Sequence, residues 1–308
     1  MHDAPATVDL EALAQRFTDI RPRLTTVAYA IVGSRAEAED VVSSTWLRLM
    51  EAAERAPIED IQAWSIVAVS RRAMNTFRSA RTRREIYVGP WLPEPVLGPL
   101  RTPDVADPAD RVTLDDSVRY ALLVVLETLT PAERTAWVLH DLFGVQFPEI
   151  AEVVGRTPQA VRQLATRARR HVQSRQPRHQ VDRETHEEVV RAFLRAAGTG
   201  DLATLVHLLD ADVTLTSDGG GHVTAARRPV HGAERVSRFV LGVSGRLHLG
   251  SSASIMEVNG LPGVALVRER HTTGVLAFTI ADGLIHRIDL VLAPPKLPPP
   301  PLTAESVI

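Results

Sequence analysis

Apolar residues recur every three or four positions along the first 84 residues, a spacing that predicts helices. The first run ends at Gly33 and consists of Leu10, Leu13, Phe17, Ile20, Leu24, Val27 and Ile31. Ser34, followed three residues later by Glu37, is a capping box that predicts the start of a second helix. The inward side of that helix carries Ala38, Val41, Val42, Thr45, Trp46, Leu49 and Met50. A third helix is predicted from about Asp60 to Ser79.

The pattern changes between Tyr87 and Pro108, where the sequence YVGPWLPEPVLGPLRTPDVADP contains six prolines. Because proline removes a backbone donor and fixes φ, helix and central strand are both disfavoured, and a linker is predicted. The linker also carries apolar residues that a purely flexible spacer does not need, namely Trp91, Leu92, Val96 and Leu97.

Helical periodicity resumes from Leu114 to about Arg175, and a different pattern follows near Thr185. Two helices are predicted at 187–197 and 201–209, and strand-like runs then lie at 213–215, 253–258, 264–270, 275–280 and 285–291. The tripeptide Ala281-Asp282-Gly283 predicts a hairpin between the last two runs. The last third is therefore expected to be α+β with a mostly antiparallel sheet.

A chain of 308 residues is too long for one ordinary core, so a multi-domain protein is expected. The pattern predicts two all-α domains at 8–86 and 114–176, joined by a proline-rich linker at 87–113. An α+β domain is predicted at 184–293, followed by a proline-rich, extended tail at 294–308.

Composition excludes several classes of protein. The absence of Cys excludes disulfides, thiolate metal sites and cysteine nucleophiles. No apolar run approaches the roughly 18–20 residues of a membrane span, and no secretory signal is visible at the N-terminus. A cytoplasmic protein without membrane contact is therefore expected.

The net charge of −2 hides a segregation of the basic residues. Of the 35 Lys and Arg residues only Lys296 is lysine. Six Arg lie within residues 71–84 and seven within residues 153–181, and neither segment contains an acidic residue. Two such segments in a slightly acidic protein favour binding to a polyanion, with solvated helix faces as the alternative.

The segment FGVQFPEIAEVVGRTPQAVRQLATRARRHV, residues 143–172, has the pattern of a helix-turn-helix. A short helix ends at Gly155, Thr157 is an N-cap, and Pro158 fits the first turn of the next helix. One side of the second helix is apolar, with Val161, Leu164, Ala165, Ala168 and Val172.

The other side of this second helix is rich in Arg and Gln, which can form paired hydrogen bonds with guanine and adenine respectively. The residues expected to contact duplex DNA are Arg156, Thr157, Gln159, Arg162, Gln163, Thr166, Arg167 and Arg170. A bundle helix with a solvated basic face is the alternative.

The third predicted helix places Trp64, Arg71, Asn75 and Arg78 on one face. An aromatic ring, an amide and guanidinium groups suit a strand with unstacked bases, although Trp64 taken alone fits the core better than a stacking platform. The residues expected to bind a melted strand are Trp64, Arg71, Arg72, Asn75, Arg78, Arg81, Arg83 and Arg84.

The segments YAIVGSRAEAEDVVSSTWLRLME and AWSIVAVSRRAMNTFRSARTRRE, followed by the helix-turn-helix, resemble the extracytoplasmic-function branch of the bacterial sigma-70 family over roughly residues 10–175. The resemblance implies a factor that binds the β′ clamp helices and the β subunit of core RNA polymerase and starts transcription. It assigns the residue 64–84 surface to the −10 promoter element and the helix-turn-helix to the −35 element. The residues it implies for polymerase binding are Glu39, Asp40, Val41 and Trp46.

The remaining third resembles that of sigma factors with a fused, cone-shaped SnoaL-like domain of the nuclear-transport-factor-2-like fold. A linker motif of this subgroup is present as Trp91, Leu92, Pro93, Glu94 and Pro95. A second is present as Asp218, Gly219, Gly220 and Gly221, and a third is reduced to Ala293-Pro294-Pro295-Lys296-Leu297. The resemblance implies regulation in cis, by contact of this domain with the linker and the sigma domains, without a separate anti-sigma factor.

The Asp218–Gly221 stretch lacks the Gly-x-Gly-x-x-Gly or Gly-Lys-Ser/Thr pattern of a nucleotide-binding loop. A hairpin turn explains one or two of the glycines. Glycines also let another segment approach closely, and Asp218 can accept hydrogen bonds from it. We therefore expect a turn that docks the linker or the sigma domains.

Two rival functions remain open at this stage. The SnoaL-like fold also houses enzymes, for which acid–base candidates are Asp218, His248, His271, His286 and Asp289, or the domain could sense a small molecule. None of these residues lies in a motif that requires catalysis, so we expect no enzyme. A duplex-binding activator or repressor would leave residues 40–48 and 71–84 without a role. The histidines show no metal-binding spacing, and neither metal nor cofactor is expected.

Overall fold

The computed structural model describes residues 10–84, 87, 89–100, 118–175, 179, 181–247 and 251–299, with only the backbone at 82–84 and 245–247. The chain forms two compact units. The first comprises residues 1–82 and 126–174, and the second comprises residues 83–125 and 175–308. Among the described residues, no helix combines the length and hydropathy that a membrane span requires.

The first unit begins with three long helices, α1 (Leu10–Val32), α2 (Arg35–Arg55) and α3 (Ile61–Arg84). The predicted end of α1 at Gly33 is confirmed, since this glycine has a left-handed φ of 76°. The predicted cap of α2 is also confirmed, because the Ser34 hydroxyl accepts the Glu37 N–H at 3.3 Å. The Asp60 carboxylate caps α3, which continues beyond the predicted end.

The helix-turn-helix completes the first unit. Helix α5 (Pro131–Trp137) continues into a π-helical turn (Val138–Leu142), which is followed by α6 (Phe147–Val154) and α7 (Pro158–Arg175). Gly155 ends α6 with a φ of 69°, and the Thr157 hydroxyl accepts the Ala160 N–H at 3.2 Å. The predicted apolar face of α7 is confirmed, because all five of its residues are buried.

The second unit is built on a seven-stranded sheet with the order β1-β4-β5-β6-β7-β2-β3. Its strands are β1 (Leu97–Gly98), β2 (Leu209–Asp218), β3 (Val230–His231), β4 (Ser252–Val258), β5 (Leu261–Arg268), β6 (His271–Ala281) and β7 (Leu284–Val291). Among the strand pairs that the structure describes, only β2–β7 is parallel, so the expectation of a mostly antiparallel sheet is confirmed. The predicted hairpin at Ala281–Gly283 is confirmed, with positive φ at Asp282 and Gly283 as a type I′ turn requires.

The helices of this unit are α4 (Tyr120–Leu126), whose first residues belong to it, α8 (Arg183–Thr199), α9 (Leu202–Leu208) and α10 (Ala233–Leu247). The sequence analysis did not predict α10. The linker contributes the short edge strand β1, a position that tolerates neighbouring prolines. The tail, expected to be extended, forms a 3₁₀ turn at Pro294–Lys296. The predicted helix start at Leu114 lies outside the described residues.

Apolar clusters cover both faces of the sheet. One face packs against α8, α9 and α10 through residues such as Phe193, Val264 and Phe278. The other cluster consists of Leu92, Tyr120, Val258, Val275, Ala277 and Val291. Strand alternation explains this division, since successive side chains point to opposite faces. The sheet therefore holds the linker on the face opposite its own helices.

Candidate DNA-binding, polymerase-binding and linker-binding sites

The outer face of α7 presents the residues predicted to read duplex DNA. Seven of these eight predicted side chains are exposed, and the eighth, Thr166, is half-buried. The Arg162 guanidinium lies 5.0 Å from the centroid of the Phe147 ring, and the Arg167 Nε lies 3.9 Å from Glu133. These contacts orient the two arginines without burying them.

The residues of α3 predicted to bind a melted strand differ in their exposure and in their contacts. Arg72, Asn75 and Arg78 are exposed, and Trp64 is half-buried, as befits a residue with a possible core role. The remaining predicted residues are Arg71, Arg81, Arg83 and Arg84, and the side chains of the last two lie outside the described part.

Arg71 and Arg81 donate hydrogen bonds to the backbone of the helix-turn-helix part. The Arg71 guanidinium donates to the Glu152 carbonyl of α6 at 2.8 Å. The Arg81 guanidinium donates to the Leu129 carbonyl at 2.9 Å. Two side chains predicted to bind one DNA element therefore contact the segment predicted to bind the other.

Arg134 of α5 is the largest fully buried side chain that the structure describes. Its Nε donates to the Ala30 carbonyl of α1 at 2.9 Å, and its Nη1 lies 2.7 Å from a Glu127 oxygen. Its guanidinium carbon lies 4.5 Å from the centroid of the Phe77 ring on α3. Arg134 thus joins α1 and α3 to the helix-turn-helix part. The sequence analysis missed this residue.

Asp218 lies at the end of β2, is fully buried and accepts four hydrogen bonds. One carboxylate oxygen accepts the Tyr87 hydroxyl and the Gly220 N–H, the latter at 2.9 Å. The other accepts the Leu92 N–H at 2.8 Å and the Lys296 ammonium at 2.6 Å. A carboxylate offers about four lone-pair positions, so this group is saturated. Two of its four donors belong to the linker.

Lys296 completes the charge balance of Asp218 and binds the linker directly. Its ammonium donates to the Leu92 carbonyl at 2.7 Å and lies 3.0 Å from the centroid of a Trp91 ring. A compact ammonium with three donors suits these converging partners better than a planar guanidinium would. The sequence analysis missed Lys296 as a site residue. Two features of the sequence could have indicated it: Lys296 is the sole lysine, and it lies in the reduced motif at 293–297.

Asn259 binds the linker at a second point, in the turn between β4 and β5. Its side-chain oxygen accepts the Val96 N–H at 3.0 Å, and its amide donates to the Val118 carbonyl at 3.2 Å. The Tyr120 hydroxyl donates to the Pro93 carbonyl at 2.8 Å. Asn259, Asp218 and Lys296 are called the linker-binding site below. The sequence could have drawn attention to Asn259, because it begins an Asn-Gly dipeptide between two strand-like runs.

Two of the three consecutive glycines are required by close approach. A Cβ on Gly219 would collide with the Val223 carbonyl, and one on Gly220 would lie 2.8 Å from the Ala293 Cβ. Gly220 also has a left-handed φ of 69°. The turn therefore brings Asp218 beside the segment that carries Lys296.

Burial, together with the hydrogen bond to Asp218 and its negative charge, raises the pKa of Tyr87, against a smaller lowering by the Gly220 backbone. The phenol therefore stays protonated over the physiological range and remains a donor to Asp218.

Comparisons with known proteins show the family to which the two helical regions belong. The sigma-70 region 2 family matches residues 17–83, and the sigma-70 region 4 family matches residues 119–172. The extracytoplasmic-function RNA polymerase sigma factor SigJ of Mycobacterium tuberculosis is 40% identical over 297 residues, covering 93% of each chain. The probable sigma factor SigI of the same organism is 38% identical, covering 91% of this chain and 92% of that one.

The chain belongs to the extracytoplasmic-function RNA polymerase sigma factors. It is therefore a promoter-recognising factor, and its family acts with core RNA polymerase on promoter DNA. The crystal structure of M. tuberculosis SigJ matches this sigma factor with a TM-score of 0.72 and 36% identity, over 92% of this chain and 97% of that one. The expected fold class, two helical sigma regions with a C-terminal SnoaL-like helix-and-sheet domain, is confirmed.

The residues expected to bind polymerase in this sigma factor differ in their exposure. Glu39 and Asp40 on α2 are exposed, whereas Val41 is only 2% exposed and belongs to the core of region 2. Trp46 is half-buried, with its ring centroid 5.1 Å from that of Phe17. The side chain of Val41 therefore cannot contribute to a contact surface, because the helix turns it inward.

Leu47 is an exposed apolar residue on the same helix, within the segment 40–48 but not among the four residues expected to bind polymerase. Its exposed fraction is 57%. It follows Asp40 by seven positions and Ser43 by four, a spacing that places the three residues on one side of α2.

The described acid–base candidates of the C-terminal domain differ in their partners and in their exposure. Asp218 is engaged by the linker, and Asp289 is paired with Arg287 at 2.7 Å. Burial raises the pKa of Asp289, and the neighbouring Arg287 opposes this. His271 is exposed, His286 contacts Asp210 at 3.7 Å, and His248 lies outside the described residues. Among the residues described, no group of His, Asp and Glu is placed to hold a metal.

Proposed function

We propose that this sigma factor is regulated in cis by its C-terminal domain, which binds the linker between regions 2 and 4. The observation that carries the proposal is the saturated Asp218 carboxylate, which accepts from Tyr87 and Leu92 of the linker region. Lys296 and Asn259 hold the same segment at further points. A linker fixed at several points cannot extend.

We further infer that the first unit is the resting form of the factor. The −10 and −35 elements are about 25 base pairs apart, which is roughly 85 Å along B-DNA. In this unit Arg71 of region 2 lies at hydrogen-bonding distance from α6, the helix before the recognition helix. The two surfaces therefore cannot reach their elements together until regions 2 and 4 separate.

Promoter contacts are assigned as the sequence predicted. The exposed face of α7 is proposed to read the −35 element. The exposed residues of α3 are proposed to bind the −10 strand, and Arg71 and Arg81 are proposed to add to this surface once regions 2 and 4 have separated. Separation of regions 2 and 4 would thus complete the −10 surface in the same step that lets the two regions span the distance between the promoter elements.

Binding to the β′ clamp helices is proposed to use Glu39, Asp40 and Leu47 of α2. Leu47→Asp is expected to weaken binding to core polymerase by about tenfold or more, because an exposed apolar side chain buried at an interface contributes about 1.5–3 kcal/mol. Leu10→Asp is the matched control, since Leu10 is equally exposed at 55% on another helix. Equal binding of both variants in a fluorescence titration would contradict the assignment.

The linker contact is tested by the double variant Trp91→Ala and Leu92→Ala. Leu92 is 1% exposed, so truncation removes about 2–5 kcal/mol of packing and is expected to free the linker. Promoter-dependent transcription with purified core polymerase should rise, and limited proteolysis should cut the linker faster. Pro99→Ala is the control, because Pro99 lies in the same linker and is exposed. Unchanged transcription with an unchanged digestion pattern would overturn the proposal.

The same proposal accounts for the remaining expectations. Regulation within one chain requires no separate anti-sigma factor. A factor that binds core polymerase is proposed to act in the cytoplasm, where the polymerase works. The C-terminal domain is proposed to act by binding the linker rather than by catalysis, because Asp289 is paired with Arg287 and Asp218 is engaged by the linker.

A further inference from the structure

A partly open cavity of about 100 Å³ lies between one face of the sheet and helices α8 and α10. Its walls include Phe193 from α8, Val240 from α10 and Leu215, Val264 and Leu290 from the sheet. Protein cores are normally packed to the density of organic crystals, with few voids larger than a water molecule. Layers packed at this density would close the space between them, so an apolar cavity of this size between the sheet and its helices requires an explanation.

The chemistry of the walls defines what could occupy the cavity. Every described residue that lines it is uncharged, and the polar side chains among them are Ser244, Ser251 and Ser252. These serines are half-buried, whereas Phe193 and Val264 are buried. The cavity is thus apolar at its base and carries hydroxyl groups at its rim. Water is a poor occupant of such a base, because it needs two to four polar partners.

We propose that this cavity is a binding site for a neutral, predominantly apolar small molecule with a single ring or a short alkyl chain. An engineered apolar cavity of about 150 Å³ in another protein binds benzene, which sets the scale of the occupant. A carboxylate or an ammonium group is excluded from the base, since no described lining residue would compensate a buried charge. The described walls also offer no acid or base, so the site binds without reacting.

The cavity and the linker contacts lie on opposite faces of the same two strands. Leu276 and Leu290, which pair between β6 and β7, line the cavity. Their strand neighbours Val275 and Val291 also pair with each other and belong to the cluster that contains Leu92. An occupant would therefore touch the two strands whose other face holds the linker. The binding proposal itself stands independently of the proposed regulation.

The test uses the full chain and two probes that differ in charge, fluorobenzene and 4-fluorobenzoate, followed by ¹⁹F relaxation. Fluorobenzene is expected to relax faster in the presence of the protein, and 4-fluorobenzoate is expected to be unaffected. Ala253→Phe, which fills the cavity from β4, should lose most of the enhancement. Ala203→Phe makes the same substitution at an exposed position on α9 and should retain it.

Circular dichroism verifies that both variants are folded. If Ala253→Phe does not fold, Ser244→Phe at the half-buried rim replaces it with the same expected loss. Equal enhancement in the wild type and the filled variant would overturn the proposal, as would equal enhancement of the two probes or no enhancement of fluorobenzene.

Discussion

Asp218→Ala is expected to release the linker and to lower the free energy of unfolding of the C-terminal unit by about 3–5 kcal/mol, the usual cost of removing one partner of a buried ion pair. The substitution leaves the Lys296 ammonium buried beside aromatic rings and removes the acceptor of the Leu92 N–H. Both effects act on the same segment, so the loss of stability and the loss of linker binding should appear together.

The measurement combines thermal unfolding with limited proteolysis, in which new cleavage sites are mapped to residues 87–100. Asp212→Ala is the matched control, because Asp212 lies on the same strand β2 with an exposed side chain. A variant as stable and as protease-resistant as this control would show that Asp218 does not hold the linker.

Arg134→Met is expected to separate region 2 from the helix-turn-helix part. Methionine can fill much of the space but donates no hydrogen bond, so the Ala30 carbonyl loses its side-chain donor and Glu127 loses its ion partner. Loss of one member of such a buried pair costs about 3–5 kcal/mol. The contacts of Arg71 and Arg81 are exposed or half-buried and cannot compensate for this loss.

Separation can be followed by energy transfer between dyes, because the chain contains no cysteine and introduced thiols are therefore unique. Ser79→Cys on α3 and Ser174→Cys on α7 are exposed positions in the first unit. Transfer should fall in the Arg134→Met background and stay unchanged with Arg21→Met, which alters an exposed arginine on α1. Unchanged transfer and an unchanged melting temperature in the Arg134 variant would contradict the resting form.

Local sequence signals predicted much of the fold. The helix-turn-helix followed from Gly155, Thr157 and the five apolar positions of α7, all of which act within a few residues of one another. Helix α10 was missed because its Gly, Ser and Val residues have low helical propensity, and packing against the sheet decides its conformation. The apolar periodicity of α2 placed Val41 on the inward side correctly, whereas the family resemblance assigned it to polymerase binding, which its burial contradicts.

The site residues that were missed depend on partners far away in the sequence. Lys296 binds Leu92 across 204 positions, and Arg134 binds Ala30 across 104. No periodicity or spacing links residues so far apart. Lys296 and Arg134 are also charged, and charged side chains are rarely buried. The Asp218 turn was predicted as a docking point for the opposite reason, since three consecutive glycines are a strong local signal.

The single lysine of this sigma factor has a consequence for its chemistry. An amine-reactive reagent, or an acetyl-transferring enzyme, finds only one ε-amino group in the chain. Lys296 is 9% exposed, and its amino group donates to Asp218 and Leu92 while the linker is bound. Its rate of modification therefore measures how often the linker leaves, and a neutralised Lys296 would prevent the ion pair from re-forming.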